Sequence, residues 1–379
     1  MHFPFARMRI LSATIAAGLG VASAHAATTF EVTNLVSDGS VPAVTPDPDL
    51  KNPWGVAFGP TSPMWVSDNV TGVATLYTGA GAKLALTVAI PPVGSANPTG
   101  QVFNSTTSDF QINGSKAIFI FDTENGTIAA WNGGATATPV YSEDGAVYKG
   151  LALGNNGSQN LLYAANFNSG LIEEFNSAFA LVGAFTDPTV PAGYAPFNVQ
   201  ALSGHLFVTY AVQDAAKHDD VGAPGNGLVD EFNFDGTLVQ RIVSPGGEIN
   251  SPWGLDIAPP SFGTFAGDLL VGNFGDGTIS AFDLTTRDFK GKLTLSDGTQ
   301  FQEGDLWALV NGNGGPGFDP NKVYFTAGLV EESEGLFGSI AAVPEPMTWT
   351  MMILGVGMVG VALRRRRLGA GPLAAQAAI

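Results

Sequence analysis

The chain has 379 residues, of which 49 are glycine and 24 are proline, while only 13% are charged. Glycine and proline favour turns, so the composition indicates many short strands and argues against a long-helix or coiled-coil protein. Residues 27–343 carry 10 basic and 32 acidic residues, a net charge of −22 within a chain of −17. This negative field repels phosphate backbones and argues against a nucleic-acid partner. The chain has no cysteine, which excludes disulfides and thiolate chemistry.

Residues 1–26 predict a secretory signal peptide. Arg7 and Arg9 precede an apolar run over residues 10–21, and Ala24-His25-Ala26 provides the pattern of small residues at a cleavage site. Signal peptides show this order of charge, apolar run and small residues, and the run is too short to span a bilayer. We therefore expect export by the Sec machinery and cleavage after Ala26. A buried N-terminal helix is the alternative interpretation.

The middle of the chain contains six copies of one pattern. Asn52-Pro53-Trp54-Gly55 is echoed by Ser251-Pro252-Trp253-Gly254 and more faintly by Asn97-Pro98-Thr99-Gly100. An apolar run that ends in polar residues and then glycine follows each copy. The copies begin 45 to 56 residues apart, at Pro53, Pro98, Lys149, Pro196, Pro252 and Leu306. Repeats of this length with four strand signals are typical of propeller blades, so we predict an all-β, six-bladed β-propeller over residues 27–343.

The ends of this region suggest how the ring closes. The last repeat offers three strands, over residues 307–311, 322–327 and 335–341, and an unpaired strand is predicted at residues 29–36. Pairing that strand with the last blade would supply the fourth strand and remove two exposed sheet edges. The alternative is two domains with a break near residues 222–227.

The C-terminal end has three parts and then a tail at residues 368–379. Pro344-Glu345-Pro346 precedes an uncharged run over residues 347–363, which is followed by Arg364, Arg365, Arg366 and Arg367. The run is close to the minimum length of a transmembrane helix. Arginines favour the cytoplasmic side, so the preceding body would face the exterior.

This end resembles the PEP-CTERM sorting signal of Gram-negative bacteria. In that family an exosortase, a membrane protease, recognises the signal, and its bearers are associated with the cell envelope and extracellular polysaccharide. The resemblance implies an exosortase partner, transient or lasting membrane attachment through the C-terminal helix, and a final location in the envelope, at the cell surface or in the matrix. The tail of 12 residues is longer than is usual in the family.

The repeat itself resembles the NHL and regucalcin/gluconolactonase class of six-bladed propellers. In that class a glycine-containing turn precedes the first strand of a blade and a Val-x-Asp-like sequence ends the second strand, and residues 64–68 and 118–122 match that ending. Together with the sorting signal, the repeat is similar to an uncharacterised bacterial family of secreted propellers. The resemblance implies the fold and carries over no activity.

Candidate site residues come from the topology of a blade. Because the chain reverses at each turn, the start of strand one and the end of strand two lie on one face, with the loops at residues 213–227 and 331–334 above them. Lys51, Lys149 and Lys217 are the few basic residues expected there. The predicted binding residues are Asn52, Trp54, Asn97, Asn198 and Trp253. The predicted calcium ligands are Asp68, Asp122, Asn166 and Asn273.

Each of these residues also has an ordinary structural interpretation. Calcium takes six to eight oxygen ligands, which converging carboxylates and amides could supply. Asp and Asn before glycine are, however, common turn residues that bond nearby backbone N–H groups. The two tryptophans, Trp54 and Trp253, could equally be wedges between blades.

Three functional hypotheses follow. The chain has no His-Glu-x-x-His or Gly-x-Ser-x-Gly motif. The leading hypothesis is a non-enzymatic, envelope-associated propeller that binds a ligand, a matrix component such as extracellular polysaccharide, or a partner protein. The alternative is a calcium-dependent lactonase-like or other hydrolytic propeller. A structural matrix protein, in which the propeller is a spacer, is the third.

Overall fold

Six antiparallel sheets follow one another along the chain in the computed structural model, which describes residues 28–315 and 317–343. The first strand of each sheet contacts the first strand of the next, and the last of these contacts the first. The sheets therefore close into a ring, and the predicted six-bladed β-propeller is confirmed.

The strands are numbered in chain order. The N-terminal strands and blade 1 are β1 Thr29–Ser37, β2 Thr45–Pro46, β3 Pro53–Ala57, β4 Met64–Asp68, β5 Val73–Tyr77 and β6 Val88–Ala89. Blade 2 has β7 Pro98–Phe103, a small hairpin of β8 Gln111–Ile112 and β9 Ser115–Lys116, β10 Phe119–Thr123, β11 Thr127–Trp131 and β12 Thr138–Ser142. Blade 3 has β13 Tyr148–Asn155, β14 Asn160–Asn166, β15 Leu171–Phe175 and β16 Leu181–Phe185.

The remaining blades follow the same plan. Blade 4 has β17 Tyr194–Leu202, β18 His205–Val212, β19 Leu228–Phe232 and β20 Leu238–Val243. Blade 5 has β21 Pro252–Ile257, a 3-10 helix Pro260–Phe265, β22 Leu269–Asn273, β23 Ile279–Phe282 and β24 Phe289–Lys292. Blade 6 has β25 Leu306–Asn311, β26 Lys322–Ala327 and β27 Leu336–Val343. We call β3, β7, β13, β17, β21 and β25 the inner strands, and the face at which they begin the top face.

Blade 6 is completed by the N-terminal strand. β1 pairs antiparallel with β27 from Thr29 opposite Val343 to Ser37 opposite Leu336, with one bulge between Asn34 and Val36. The strand order of this sheet is β2-β1-β27-β26-β25. The predicted closure between the two ends of the ring is therefore confirmed.

The core lies between neighbouring blades. β10 and β22 are buried at all five of their positions, which explains why their sequences do not alternate between apolar and polar residues. Between blades 1 and 2, for example, Trp65 stacks on Phe119 with ring centroids 4.3 Å apart. The two adjacent blades thus cover both faces of the central strands of each blade.

The glycine of the repeated Pro-x-Gly pattern is required by the narrow axis of the ring. A Cβ atom on Gly55 would lie 2.5 Å from the Thr99 carbonyl oxygen of the next inner strand. A Cβ atom on Gly100 would lie 2.5 Å from the Leu151 nitrogen of the one after it. No real Cβ contact is that short, so only glycine lets these inner strands approach so closely.

The alternative domain boundary is wrong, and several predicted terminal features lie outside the described residues. Residues 213–227 connect β18 to β19 within blade 4 rather than two domains. The predicted signal peptide, the sorting-signal residues from Pro344 onward and the predicted helix at residues 347–363 lie outside the described residues. Within residues 28–315 and 317–343, none of the helices has the length and apolar character needed to cross a bilayer.

The closure strand supplies the first testable prediction. Phe30 in β1 is fully buried and packs 4.8 Å from Phe262, measured between ring centroids. Phe30→Ala should lower the free energy of unfolding by about 3–5 kcal/mol, because it leaves a cavity at the strand that closes the ring. Urea unfolding measures this loss. The control Val44→Ala, at a residue 64% exposed, should change it by less than about 0.5 kcal/mol. Equal losses in the two variants would contradict this account of closure.

Candidate binding face

The turns before the inner strands have a special backbone conformation. Asn52, Asn97, Ser251 and Asp305 directly precede β3, β7, β21 and β25 and have φ angles of 45°, 47°, 42° and 54°. This left-handed region disfavours most residues but is tolerated by Asn and Asp. The Asn-Pro pattern in the sequence therefore reflects, first of all, a backbone requirement of the turn.

Aromatic side chains from four different blades meet at the top of the axis. Trp54 of blade 1 stacks on Trp307 of blade 6 with ring centroids 3.5 Å apart, and Trp253 of blade 5 lies 6.2 Å from Trp54. Phe197 of blade 4 lies 6.0 Å from Trp307. All four are at most 4% exposed. We call Trp54, Phe197, Trp253 and Trp307 the aromatic layer. It closes the axis, and the two predicted tryptophans serve as packing residues within it.

A lysine lies buried against this layer. The Lys149 side chain is 2% exposed, and its Nζ lies 5.0 Å from the centroid of the Trp54 ring. Lys149 forms ion pairs with Glu124 and, at 3.4 Å, with Asp219. Burial disfavours its charge, but the attraction of these carboxylates outweighs burial and raises the pKa of Lys149. The ammonium group therefore stays charged at neutral pH.

Glu332, in the loop between β26 and β27, lies on the same face within range of the charge of Lys149. Four consecutive residues of this loop, from Leu329 to Glu332, have positive φ angles. Glu332 Oε2 accepts a hydrogen bond from Asn52 Nδ2 at 2.7 Å, and its backbone N–H donates to Asp305 Oδ2 at 2.8 Å. Burial, with repulsion from Glu124 and Asp305, raises the pKa of Glu332 to about 7. We call Glu124, Lys149, Asp219 and Glu332 the top-face cluster.

The insertion at residues 213–227 contributes a further group to this cluster. His218 Nδ1 lies 2.9 Å from Asp219 Oδ1. One ligand atom each from Glu124, His218 and Asp219 lie within 4.8 Å of one another, a spacing that could hold a metal ion. The Lys149 ammonium, which pairs with both carboxylates, competes for the same position.

The four residues predicted to bind calcium make their hydrogen bonds largely within their own blades. Asp68 Oδ2 accepts from Thr75 and Asp122 Oδ1 accepts from Thr99, at 2.7 and 2.9 Å. Burial raises the pKa of Asp122 to about 7 and also raises that of Asp68. The amides donate to groups of the same blade, Asn166 to Glu173 and Asn273 to Ser280. These contacts fit the structural interpretation, and calcium binding by these four residues stays a prediction.

The other predicted binding residues are divided between two places. Asn52 borders the top-face cluster, and Asn97 reaches it through Asn69, which donates to Glu124 at 3.0 Å. Asn198 instead lies beside the axis and donates to the Trp253 carbonyl oxygen at 2.8 Å. Of the basic residues expected on this face, Lys51 pairs with Asp38 and Glu334.

Sequence reasoning missed Glu124 and Trp307 as members of this face. Trp307 follows the repeat mark Leu306 just as Trp54 follows Pro53, so the repeat pattern was the signal that could have identified it. Glu124 stands two residues beyond Asp122, in the turn where strand two ends. No local motif distinguishes it from other turn carboxylates.

Comparisons with known proteins identify the relatives of the chain. The uncharacterised protein R648 of Acanthamoeba polyphaga mimivirus is 33% identical over 341 residues, which cover 83% of this chain and 81% of R648. Protein L690 of the same virus is 31% identical over 83% of this chain and 87% of its own length. The chain belongs to the family of these proteins. The PEP-CTERM protein-sorting motif matches residues 342–367 and confirms the sorting signal. This motif implies processing by an exosortase and export to the envelope or cell surface.

Solved structures share the fold. A streptogramin B lyase has a TM-score of 0.50 and 12% sequence identity, covering 83% of this chain and 98% of the lyase. A protein of unknown function from Bacteroides thetaiotaomicron has a TM-score of 0.52 and 11% identity, covering 83% of this chain and 76% of its own. At these identities the likeness shows the propeller architecture and no activity.

The raised pKa of Glu332 predicts a pH dependence. Between about pH 4.5 and 7 the folded protein keeps a proton on Glu332 that the unfolded chain has lost. The free energy of unfolding therefore falls as pH rises through this range. The Glu332→Gln side chain cannot titrate, so over this pH range the free energy of unfolding of the variant should fall by about 2 kcal/mol less than that of the wild type. Urea unfolding at several pH values measures it, with the exposed neighbour variant Glu331→Gln as the control. Parallel pH profiles for the wild type and Glu332→Gln would contradict the assignment.

Proposed function

We propose that this protein is a non-enzymatic, envelope-associated propeller that binds a positively charged ligand, matrix component or partner protein at its top face. The observation that carries the proposal is the top-face cluster, in which Glu124 and Asp219 pair with one buried ammonium group and Glu332 lies within range of its charge. A signal peptide at residues 1–26 would direct export through the Sec machinery. A transmembrane helix formed by residues 347–363 would hold the chain in the membrane until exosortase processing.

The charge of this face favours a cationic partner. Glu124 and Asp219 outnumber Lys149, and Glu332 adds negative charge as the pH rises through about 7. Charges that are partly removed from water interact more strongly than exposed ones. The net charge of −22 over residues 27–343 would also speed the approach of cations to the protein.

The hydrogen bonds of the cluster support binding rather than acid–base catalysis. Glu124 is held by Lys149 and Asn69, and Glu332 is held by Asn52. The aromatic layer beneath them keeps a ligand at the surface instead of admitting it to the axis. A partner would therefore contact a preorganised, acidic surface.

Neutralising exposed charges tests this proposal. The double variant Asp219→Asn, Glu331→Gln should weaken attachment of the protein to the cell surface about fivefold, because two exposed charge contacts contribute together roughly 1 kcal/mol. Retention on washed cells across a salt series measures the effect. The matched control Asp235→Asn, Asp288→Asn removes the same charge from turns on the opposite face and should leave retention unchanged. Equal retention of all three proteins would instead favour the spacer hypothesis.

A second candidate function is a calcium-dependent lactonase-like or other hydrolytic propeller. The spacing of Glu124, His218 and Asp219 favours it, since these three residues could hold a divalent cation on the top face. Lys149 argues against it, because its ammonium group already neutralises two of these ligands.

Thermal unfolding distinguishes the two candidates. A cation that binds the folded state at about 100 times its dissociation constant stabilises it by about 2.7 kcal/mol and raises the Tm by several degrees. We expect the Tm of the full-length chain to be the same with calcium and with chelator. A rise with calcium that Asp219→Asn abolishes would overturn the non-enzymatic proposal in favour of the metal-dependent one.

A further inference from the structure

The chain leaves the ring on the face opposite the top face, which we call the bottom face. β25 and β27 both pair antiparallel with β26, so β27 runs in the same direction as the inner strand of its blade, from top to bottom. Its last residue, Val343, lies opposite Thr29 of β1. The sorting motif, which matches residues 342–367, therefore starts at the bottom end of blade 6.

The distance from this exit to the predicted membrane helix is short. Three residues separate Val343 from the predicted helix at residues 347–363. A fully extended chain spans at most about 3.6 Å per residue, so the four steps from residue 343 to residue 347 cover no more than about 14 Å. The headgroup region on each side of a bilayer takes up about 5–8 Å of that distance. The bottom end of blade 6 is thus held beside the headgroups while this helix is in the membrane.

The 3-10 helix Pro260–Phe265 of blade 5 lies next to the exit. Ser261 Oγ donates to the Asn321 carbonyl oxygen of blade 6 at 2.8 Å, and the Thr264 N–H donates at 3.1 Å to Thr28 Oγ1, beside β1. The helix also contacts β27. The exposed residues of this connection are small and uncharged, so they pose little steric or electrostatic barrier to headgroups: Gly263, Thr264, Ala266 and Gly267.

Basic side chains without a carboxylate partner are concentrated at this end. Of the ten basic residues within residues 28–315 and 317–343, five form ion pairs and five do not. Three of the five without an ion pair, Arg287, Lys290 and Lys322, lie in the bottom connections and strand ends of blades 5 and 6. Lys322 is opposite Ala341 of β27, and Lys290 precedes Gly291, whose Cβ position is 3.7 Å from the Phe265 ring.

The carboxylates of this end leave a surface of mixed charge. Asp283 and Asp319 accept hydrogen bonds from backbone N–H groups of their own turns, and Asp268 is buried. Glu31 and Asp288 are exposed. Since residues 27–343 as a whole carry a net charge of −22, this is a part of the body that an anionic bilayer repels comparatively little.

We propose that the bottom ends of blades 5 and 6, around the 3-10 helix, lie against phospholipid headgroups while the C-terminal helix is in the membrane. Arg287, Lys290 and Lys322 contact lipid phosphates there. The top-face cluster then points away from the bilayer, where a partner can reach it. This inference rests on the membrane helix that the proposed function also uses, but not on any ligand of the top face.

Fluorescence quenching in vesicles tests the orientation. The chain has no cysteine, so a single introduced cysteine carries a fluorophore at a chosen position. Ala266→Cys labels the bottom connection of blade 5, and Ala216→Cys labels the top-face insertion; both alanines are exposed. The full-length variants are reconstituted into vesicles of phosphatidylcholine and phosphatidylglycerol that carry a nitroxide on the headgroup. We expect the nitroxide to quench the label at residue 266 at least threefold more than the label at residue 216.

Three results would overturn the proposed orientation. They are equal quenching at the two positions, stronger quenching at residue 216, and failure of the full-length chain to float with the vesicles. The top-face variant Asp219→Asn, Glu331→Gln keeps the bottom surface intact and should show the same quenching as the wild type. Either proposal can therefore fail while the other holds.

A matched pair of lysine variants tests the phosphate contacts. A lysine near an anionic membrane surface contributes about 1 kcal/mol. Lys290→Gln should therefore lower the ratio of contacting to non-contacting molecules about fivefold, measured by quenching of the label at residue 266. Lys217→Gln removes the same charge from the top-face insertion and should leave the quenching unchanged. Equal effects of the two variants would overturn the assignment of Lys290 to lipid phosphate.

Discussion

The close approach of the six inner strands at the axis is the constraint on which the other features depend. Gly55 and Gly100 lie so near the backbone of the next inner strand that any Cβ atom would clash. Because the inner strands lie so close to the axis, the aromatic side chains one position before the close approach are large enough to close it, as Trp54 and Trp307 do. This close approach is maintained only if the ring is closed, which the pairing of β1 with β27 ensures.

Closing the axis divides it into two chemically different environments. Above the aromatic layer, carboxylates gather around Lys149, whose charge is compatible with burial only because Glu124 and Asp219 pair with it. Below the layer, the residues that line the axis include no charged side chain. One scaffold therefore has a charged outer surface and an uncharged inner cavity.

Sequence reasoning was accurate where a feature repeats or is local. The repeat marks placed Trp54 and Trp253 at equivalent positions, and the unpaired strand before them predicted the closure. It was incomplete where a site combines residues from different blades. Glu124, Lys149 and Glu332 come from blades 2, 3 and 6. Asp122, by contrast, has the sequence context of a ligand but accepts a hydrogen bond from Thr99 of its own blade.

The sequence by itself determined the number of blades, the closing strand and the sorting signal, because each is written as a periodic or contiguous pattern. Only the tertiary structure decided which polar residues meet, since the curvature of the ring brings together side chains more than 200 residues apart, such as Asn52 and Glu332. It also decided that the Trp54 side chain is buried. Burial depends on what the opposite blades contribute at the axis, and no local pattern encodes that contribution.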